Sequence, residues 1–229
     1  MKKTMVISLG GSLIIPEKMN APFLIKFVKT LRKYYSKYKF IVVCGGGVIA
    51  RKYISTLKKQ GKSKKELAEA GIRATRMNAQ FIMQMFTKKE ANDILPLTIK
   101  QVKSSLGKNS VVICGALRFE TNSTSDSTAA KLSNFLKTDF INMTNVQGLF
   151  DKDPKKHKDA KFIKSISWKE FEKMALKIKY QPGQNFVLDQ KASMIIKKNK
   201  IRTYLIGPDL VQLENILKGK TFKGTLIFS

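Results

Sequence analysis

Three glycine-bearing segments of this 229-residue chain have the residue types of loops that bind phosphate. They are Gly10-Gly11-Ser12, Gly45-Gly46-Gly47, and Gly115 followed by Thr124-Ser125-Asp126. Glycines let backbone N–H groups approach phosphate oxygens, and the N-terminus of a following helix adds a favourable dipole. None of the three matches the P-loop or the dinucleotide-binding pattern. They therefore indicate a phosphate site of another kind.

Each segment follows an apolar run that predicts a β-strand and precedes a helical pattern. Strands are predicted at 5–9, 40–44, 111–114, 140–143, 202–206 and 225–228. Helices are predicted at 20–38, 49–57, 72–87, 129–136, 187–198 and 210–217, and behind a Ser167–Glu170 capping box through 176. This alternation predicts an α/β fold with a mainly parallel sheet between helices. Because the carboxyl ends of parallel strands share one edge, the three loops should meet at one ligand-binding rim.

Several side chains are predicted to belong to the core rather than to a site. Cys44 and Cys114 each end an apolar run and are interpreted as small core residues, not as a disulfide or metal pair. In the helix 72–87 the apolar residues are predicted to face inward; they are Ile72, Met77, Phe81, Ile82 and Met85. His157 is the single histidine, so the sequence gives almost no support for a histidine metal site or a Ser-His-Asp triad.

The chain carries a formal net charge of +28, from 44 Lys and Arg against 16 Asp and Glu. Such a charge attracts polyanions, so nucleic-acid binding is a possible function. The lysines are scattered along the chain, which favours a solvated basic surface instead. The apolar run after Lys2 and Lys3 is interrupted by Gly10-Gly11, which favours a buried strand over a signal peptide. No run approaches the roughly 20 apolar residues of a membrane span, and a cytoplasmic location is expected.

Five segments, taken in order and spacing, resemble the archaeal type of UMP kinase, a member of the amino-acid-kinase superfamily. They are ISLGGSL (7–13), VVCGGGVIARKYI (42–54), TSDSTAAKL (124–132), TNVQGLFDKDPKK (144–156) and VLDQKAS (187–193). The resemblance covers nearly the whole chain. It implies the three-layer αβα sandwich of the amino-acid-kinase (carbamate-kinase-like) fold, as a single domain. That domain would have an acceptor-binding lobe at about 1–137 and an ATP-binding lobe at about 138–229.

The same resemblance implies the reaction ATP + UMP → ADP + UDP, a step of pyrimidine nucleotide biosynthesis. It implies Mg²⁺ as the companion of ATP, and a homohexamer built as a trimer of dimers. The acceptor of this reaction is an ionised phosphate, so no general base is needed to activate it. Transfer between two phosphates depends on positioning and on charge neutralisation by glycine amides, cations and Mg²⁺.

The resemblance also implies a role for particular residues. Those at the transferred phosphate would be Gly10, Gly11, Ser12 and Asp189. Those at ATP would be Gly46, Arg51, Thr144, Asn145, Phe150 and Asp153. Those at UMP would be Gly45, Glu69, Thr124, Ser125 and Asp126.

The chain departs from the family pattern at four places. Ser8 stands where many superfamily members carry a lysine, and Lys191 is a candidate replacement for that cation. Ala68 stands where the family has an aspartate that binds the UMP ribose, with Glu69 adjacent and Glu66 one turn earlier. Gln147 replaces an aspartate, and the stretch 118–123 is longer than its family counterpart.

Two alternatives remain open from the sequence. The first is a superfamily kinase for another small anion, such as carbamate, an amino-acid carboxylate or an isoprenoid phosphate. These kinases are expected to show a histidine or lysine pattern that this chain lacks. The second is a non-catalytic nucleotide sensor or RNA-binding protein on the same scaffold, which Ser8, Ala68, Gln147 and the net charge would favour.

Overall fold

A computed structural model of the chain describes residues 2–119, 124–152, 154, 157–177 and 188–229. The strands in this part are β1 Lys3–Leu9, β2 Tyr38–Cys44, β3 Val111–Cys114, β4 Phe140–Met143, β5 Leu149–Phe150, β6 Phe162–Ile163, β7 Ser165–Ile166, β8 Thr203–Ile206 and β9 Thr225–Ile227. The helices are α1 Gly11–Ile14, α2 Ala21–Lys33, α3 Gly47–Lys59, α4 Lys64–Gln84, α5 Ile99–Lys108, α6 Ser125–Leu136, α7 Trp168–Leu176, α8 Gln190–Lys198 and α9 Leu210–Leu217.

Seven strands form one sheet in the order β3-β2-β1-β4-β8-β9-β7. The pairs from β3 to β8 are all parallel, and β9 runs antiparallel to β8. The central strands are almost entirely apolar and buried, as expected where helices cover both faces of a parallel sheet. The predicted mainly parallel α/β sheet is confirmed, and β5 and β6 form a separate small antiparallel pair.

Alternate residues of the strands enter two separate cores, one on each face of the sheet. Ile7 and Val42 face a core shared with α2, α4 and α9. Val6 and Val43 face a second core shared with α5, α6, α7 and α8. This alternation follows from the twofold period of a strand, and it confirms the three-layer arrangement.

The predicted strands agree with the structure to within two residues, and several helix bounds differ. The predicted helix 20–38 ends at Lys33, because Tyr34 turns the chain into β2 and buries its own ring. The predicted helix 187–198 begins at Gln190, and Val187 lies outside the described residues. Helix α5 was not predicted. Both cysteines are buried and free, as expected.

Helix α4 begins eight residues before the predicted start. Its first residue follows a capping box in which Ser63 accepts from the backbone of Glu66 and Glu66 accepts from Ser63. The prediction that Met77 and Phe81 face inward is wrong, since both are exposed. The buried face carries smaller and polar residues instead, including Ala74, Asn78 and Ala79, because this helix packs closely on backbone. No helix within the described ranges is long and apolar enough to cross a membrane.

Candidate functional site

The first two glycine segments lie in backbone contact at the carboxyl edge of the sheet. Strands β1 and β2 pair in parallel and end together at Leu9 and Cys44, so the loops that follow them start side by side. The Gly45 N–H donates to the Leu9 carbonyl at 2.9 Å. A Cβ on Gly11 would lie only 1.9 Å from the Gly47 nitrogen, and Gly47 has a φ of +61°, which glycine adopts without strain. Neither loop has room for a side chain at this contact.

The third segment is brought to the same edge by β3 and by helix α4. The Ala116 N–H donates to Thr75 Oγ1 at 2.9 Å, and a Cβ on Gly115 would lie 2.7 Å from the Arg76 nitrogen. Further along, Thr124 is the N-cap of α6, where its hydroxyl accepts from the Asp126 N–H at 3.1 Å. The prediction that the three segments share one rim is confirmed by these contacts and by those between α6 and α8 described next.

Two aspartates from the N-termini of α6 and α8 lie close together beneath this rim. Ser8 Oγ on β1 donates to Asp126 Oδ1 at 2.7 Å. Thr124 Oγ1 donates to Asp189 Oδ2, and the Ala192 N–H donates to Asp189 Oδ1 at 2.7 Å. Ser8 is fully buried and Asp189 nearly so. The residue in the position of the family lysine therefore serves as a neutral hydrogen-bond donor to a carboxylate.

The environment of this pair makes ionisation unfavourable. Burial, together with the negative charge of Asp189, raises the pKa of Asp126 to about 7 against the opposing hydrogen bond from Ser8. Burial also raises the pKa of Asp189, while the hydrogen bonds from Thr124 and from backbone N–H groups oppose that rise. Both carboxyls therefore hold a proton more tightly than a free aspartate does.

An open cleft of about 540 Å³ lies beside the first glycine segment, which contributes Ser12 to its lining. Its lining comes from the α1–α2 connection, from α3 and from the segment after β4: Ser12, Pro16, Glu17, Lys18, Met19, Asn20, Arg51 and Asn145. Three residues expected to contact phosphate or ATP, namely Ser12, Arg51 and Asn145, therefore line one space. Thr144 precedes Asn145 and lies beside the first glycine segment, since a Cβ on Gly10 would lie 3.6 Å from the Thr144 Cα.

Other predicted site residues lie apart from this cleft or outside the described chain. Phe150 is on β5 and packs edge-to-face on Phe162 of β6, with the ring centroids 5.3 Å apart. Asp153 lies outside the described residues. Glu69 is partly buried on α4, whereas the carboxylate of Glu66 is held in the capping box at Ser63. Of the two, Glu69 is therefore the remaining candidate for a carboxylate that binds the UMP ribose.

Lys191 and Gln147 also have definite positions. Lys191 lies in the first turn of α8, where the hydrogen bond from its backbone N–H opposes the rise in the pKa of Asp189, and Lys191 is not among the residues that line the cleft. Gln147 is exposed, and its Cα would lie 3.3 Å from a Cβ placed on Gly207 in the loop after β8.

Three residues of α4 that hold the loops in place were not predicted from the sequence. Asn78 is buried, and its Nδ2 donates to the Gly45 carbonyl at 2.7 Å. Thr75 accepts from Ala116, as described above. Arg76 donates through Nε to the Ala116 carbonyl at 3.1 Å and through Nη2 to the Leu117 carbonyl. Their signal was the run of polar residues on the same turns as Ala74 and Ala79, where an apolar face would otherwise be expected.

Comparison with known proteins gives matches over the full chain. The family model described as the amino acid kinase family matches residues 3–207. The uridylate kinase of Thermoplasma volcanium is 37% identical over 222 residues, which cover 96% of this chain and 95% of that protein. The uridylate kinase of Thermoplasma acidophilum is 34% identical over 229 residues, covering 99% and 97%. The crystal structure of uridylate kinase from Archaeoglobus fulgidus superposes with a TM-score of 0.82 at 32% identity, covering 99% of this chain and 100% of that one.

Proposed function

This chain belongs to the amino acid kinase family, and from that premise we propose that it transfers the γ-phosphate of ATP to UMP, giving ADP and UDP. The observation that carries the proposal is structural. Glycine backbones from the loops after two adjacent parallel strands lie in contact, and Ser12 of the first loop lines a cleft that Arg51 also lines. The full-length similarity to uridylate kinases supports UMP as the acceptor.

The reaction depends mainly on the positioning of the two substrates and on neutralisation of the phosphate charge. A phosphate oxygen of UMP attacks Pγ of ATP, and the bond between Pγ and the β–γ bridging oxygen breaks. The transferred group carries several negative charges, so backbone N–H groups and cations around it stabilise the transition state. The N–H groups of residues 11, 12, 46 and 47 and the guanidinium of Arg51 would supply this stabilisation, because the N–H groups of Gly10 and Gly45 already donate to main-chain carbonyls.

Mg²⁺ would accompany ATP and neutralise part of the phosphate charge. Among the described residues, no group of three or more His, Cys, Asp or Glu side chains could hold a metal ion. The ion would therefore be held mainly by phosphate oxygens and water, as is usual for Mg²⁺. Asp126 and Asp189 are the carboxylates beneath the glycine loops, and they would fix α6 and α8 rather than form a complete metal cage.

The two substrates would bind to different halves of the sheet. Strands β3, β2 and β1 come from the first half of the sequence and stand together on one side, and β4, β8, β9 and β7 stand on the other. This order supports the assignment of an acceptor lobe at about 1–137 and an ATP lobe at about 138–229. UMP would meet Gly45, Glu69 and the segment 124–126. ATP would meet Gly46, Arg51 and the segment 144–153.

Three broader properties follow from the family rather than from the described contacts. We expect a homo-oligomer, a hexamer built as a trimer of dimers, and a cytoplasmic role in pyrimidine nucleotide biosynthesis. Sedimentation velocity of the purified chain tests the first. A mass near that of one chain at micromolar concentration would contradict the hexamer.

The direct test of function is ADP production with ATP and Mg²⁺ against a panel of acceptors. UMP, CMP, dUMP, acetylglutamate and carbamate would be compared at moderate salt, so that the basic surface does not capture substrate nonspecifically. We expect turnover confined largely to UMP. Turnover with another acceptor alone would keep the kinase and reject UMP, and a folded chain that binds nucleotide without turnover would reject the kinase.

A further inference from the structure

The connection between α1 and α2 carries a lysine into the cleft. Lys18 lines the same space as Ser12 and Arg51. Resting on the proposed function, we propose that the Lys18 ammonium contacts the phosphoryl group that is transferred and supplies the cation that β1 lacks.

The backbone holds this connection at both ends. The Ile15 N–H donates to the Gly11 carbonyl at 2.9 Å, and the Asn20 N–H donates to the Ile14 carbonyl at 3.0 Å. The Val48 N–H at the start of α3 approaches the Ile15 carbonyl at 3.5 Å. Residues 16–19 therefore form a short exposed segment whose two ends are held by backbone hydrogen bonds. Lys18 is placed at the cleft by the fold, and its long side chain can adjust to a ligand.

The charges of the cleft are suited to a phosphate. Lys18 and Arg51 form no ion pair with any residue in the described part of the chain, in contrast to Lys33, Lys152 and Lys197, which do. Glu17 is the one acidic residue that lines the cleft in the described ranges. Two cations from separate elements, with a single carboxylate among the lining residues, leave a net positive charge in the cleft beside Ser12, and such a cleft attracts a polyphosphate.

The other candidate positions for this cation do not reach the cleft. Ser8 is fully buried and uses its hydroxyl on Asp126. Lys191 lies on α8 beside Asp189 and is not part of the cleft lining. Ser12, which is expected at the transferred phosphate, shares the lining with Lys18. Lys18 therefore contacts the γ-phosphate, and not the nucleoside of UMP or of ATP.

Lys18 has an electrostatic role in the step. The oxygen of UMP forms its bond to Pγ, the bond from Pγ to the bridging oxygen breaks, and ADP leaves with that electron pair. The Lys18 ammonium offsets the charge on the moving phosphoryl oxygens. A contact of this kind acts more strongly in the transition state than in the ground state, so its loss lowers kcat.

The test compares Lys18→Gln with Lys26→Gln, an exposed lysine of α2 that does not line the cleft. Lys18→Gln is expected to lower kcat about 10- to 100-fold and to change the KM for UMP by less than about threefold. Lys26→Gln should match the wild type, and Lys18→Arg should recover part of the lost rate because it keeps the charge. A kcat for Lys18→Gln within about twofold of wild type, or an equal loss in Lys26→Gln, would overturn the proposal.

A binding measurement separates this proposal from the proposed function. Inorganic tripolyphosphate with Mg²⁺ would be titrated calorimetrically into the same three proteins, whose melting curves report folding. If wild type shows no turnover with UMP, the proposed function fails, and tripolyphosphate affinity then decides the role of Lys18. A loss of about fivefold or more in Lys18→Gln, absent in Lys26→Gln, supports the lysine as a phosphate ligand, and an unchanged affinity overturns it.

Discussion

The buried carboxyls of Asp126 and Asp189 both have raised pKa values, so they make the stability of the chain depend on pH. A carboxyl whose pKa is higher in the folded chain than in the unfolded chain binds its proton more tightly when folded. For Asp126 the value rises from 3.8 to about 7. Its contribution to stability is therefore fully present at low pH and is lost as the pH rises between about 4 and 7.

Replacement of the Asp126 carboxyl by an amide tests the direction of this change of stability with pH. Asp126→Asn removes the ionisation and keeps an oxygen that can accept from Ser8. We expect Asp126→Asn to become more stable relative to wild type as the pH rises. The difference in their free energies of unfolding should change by about 1–3 kcal/mol in favour of the variant between about pH 4 and pH 8. Urea unfolding at both pH values measures the difference, and Asp93→Asn at an exposed site is the control. A constant difference between Asp126→Asn and wild type would show that Asp126 ionises freely.

Asn78 sets the position of a glycine loop through a single hydrogen bond. Asn78→Ala would leave the Gly45 carbonyl without this donor and open a small space in a buried region. We expect a loss of about 1–3 kcal/mol in the free energy of unfolding, together with a lower kcat/KM for both nucleotides. Gln80→Ala, an exposed change on the same helix, is the control for helix propensity. Equal stability of the two variants would mean that the loop does not depend on Asn78.

At the scale of elements, the contact between the loops after β1 and β2 determines the shape of the phosphate edge. Gly11→Ala would place a Cβ 1.9 Å from the Gly47 nitrogen, so one backbone must move. Gly107→Ala is a matched control, because Gly107 lies in α5 with nothing within 4 Å of its added Cβ. We expect Gly11→Ala to lose activity and melt lower, and Gly107→Ala to be as stable as wild type or up to about 1 kcal/mol more stable. Normal activity in Gly11→Ala would contradict the tight contact.

The elements also show what the sequence could and could not predict. Strands such as 40–44 were recognisable because a buried parallel strand is a continuous apolar run with glycines at its end. The antiparallel direction of β9 could not be predicted, since direction depends on tertiary pairing and leaves no local pattern. The end of α2 at Lys33 was missed because Tyr34 and Tyr35 continue the helical period while they serve the turn into β2.

The same limit applies to the candidate site. Ser12, Arg51 and Asn145 were found because they stand in recognisable segments, and the structure brings them to one cleft. Asn78 and Arg76 were missed because their partners are backbone carbonyls more than 30 residues away in sequence. The polar residues on the buried face of α4 indicate that some polar contact exists there, but hydrogen bonds to a distant main chain leave no spacing that would identify the partners.

For the whole molecule, the net charge of +28 must be reconciled with a small-molecule reaction. The described ion pairs are at least partly exposed at one partner, and lysine faces solvent on most helices. A surface of this kind binds any polyanion at low ionic strength through release of counterions. A phosphate site inside a cleft depends on short contacts as well, and salt screens these less.

The two kinds of binding should therefore separate along a salt titration. We expect unstructured RNA to inhibit UMP phosphorylation at about 50 mM salt and to lose this effect by about 200 mM, with affinity falling linearly in log–log form. Turnover without RNA should change much less over the same range, because the cleft cations act at contact distance. Fluorescence anisotropy of a labelled RNA, measured beside ADP production, gives both curves from one protein. RNA binding that persists at about 300 mM would instead indicate a dedicated nucleic-acid surface, with the lysines arranged to match a backbone.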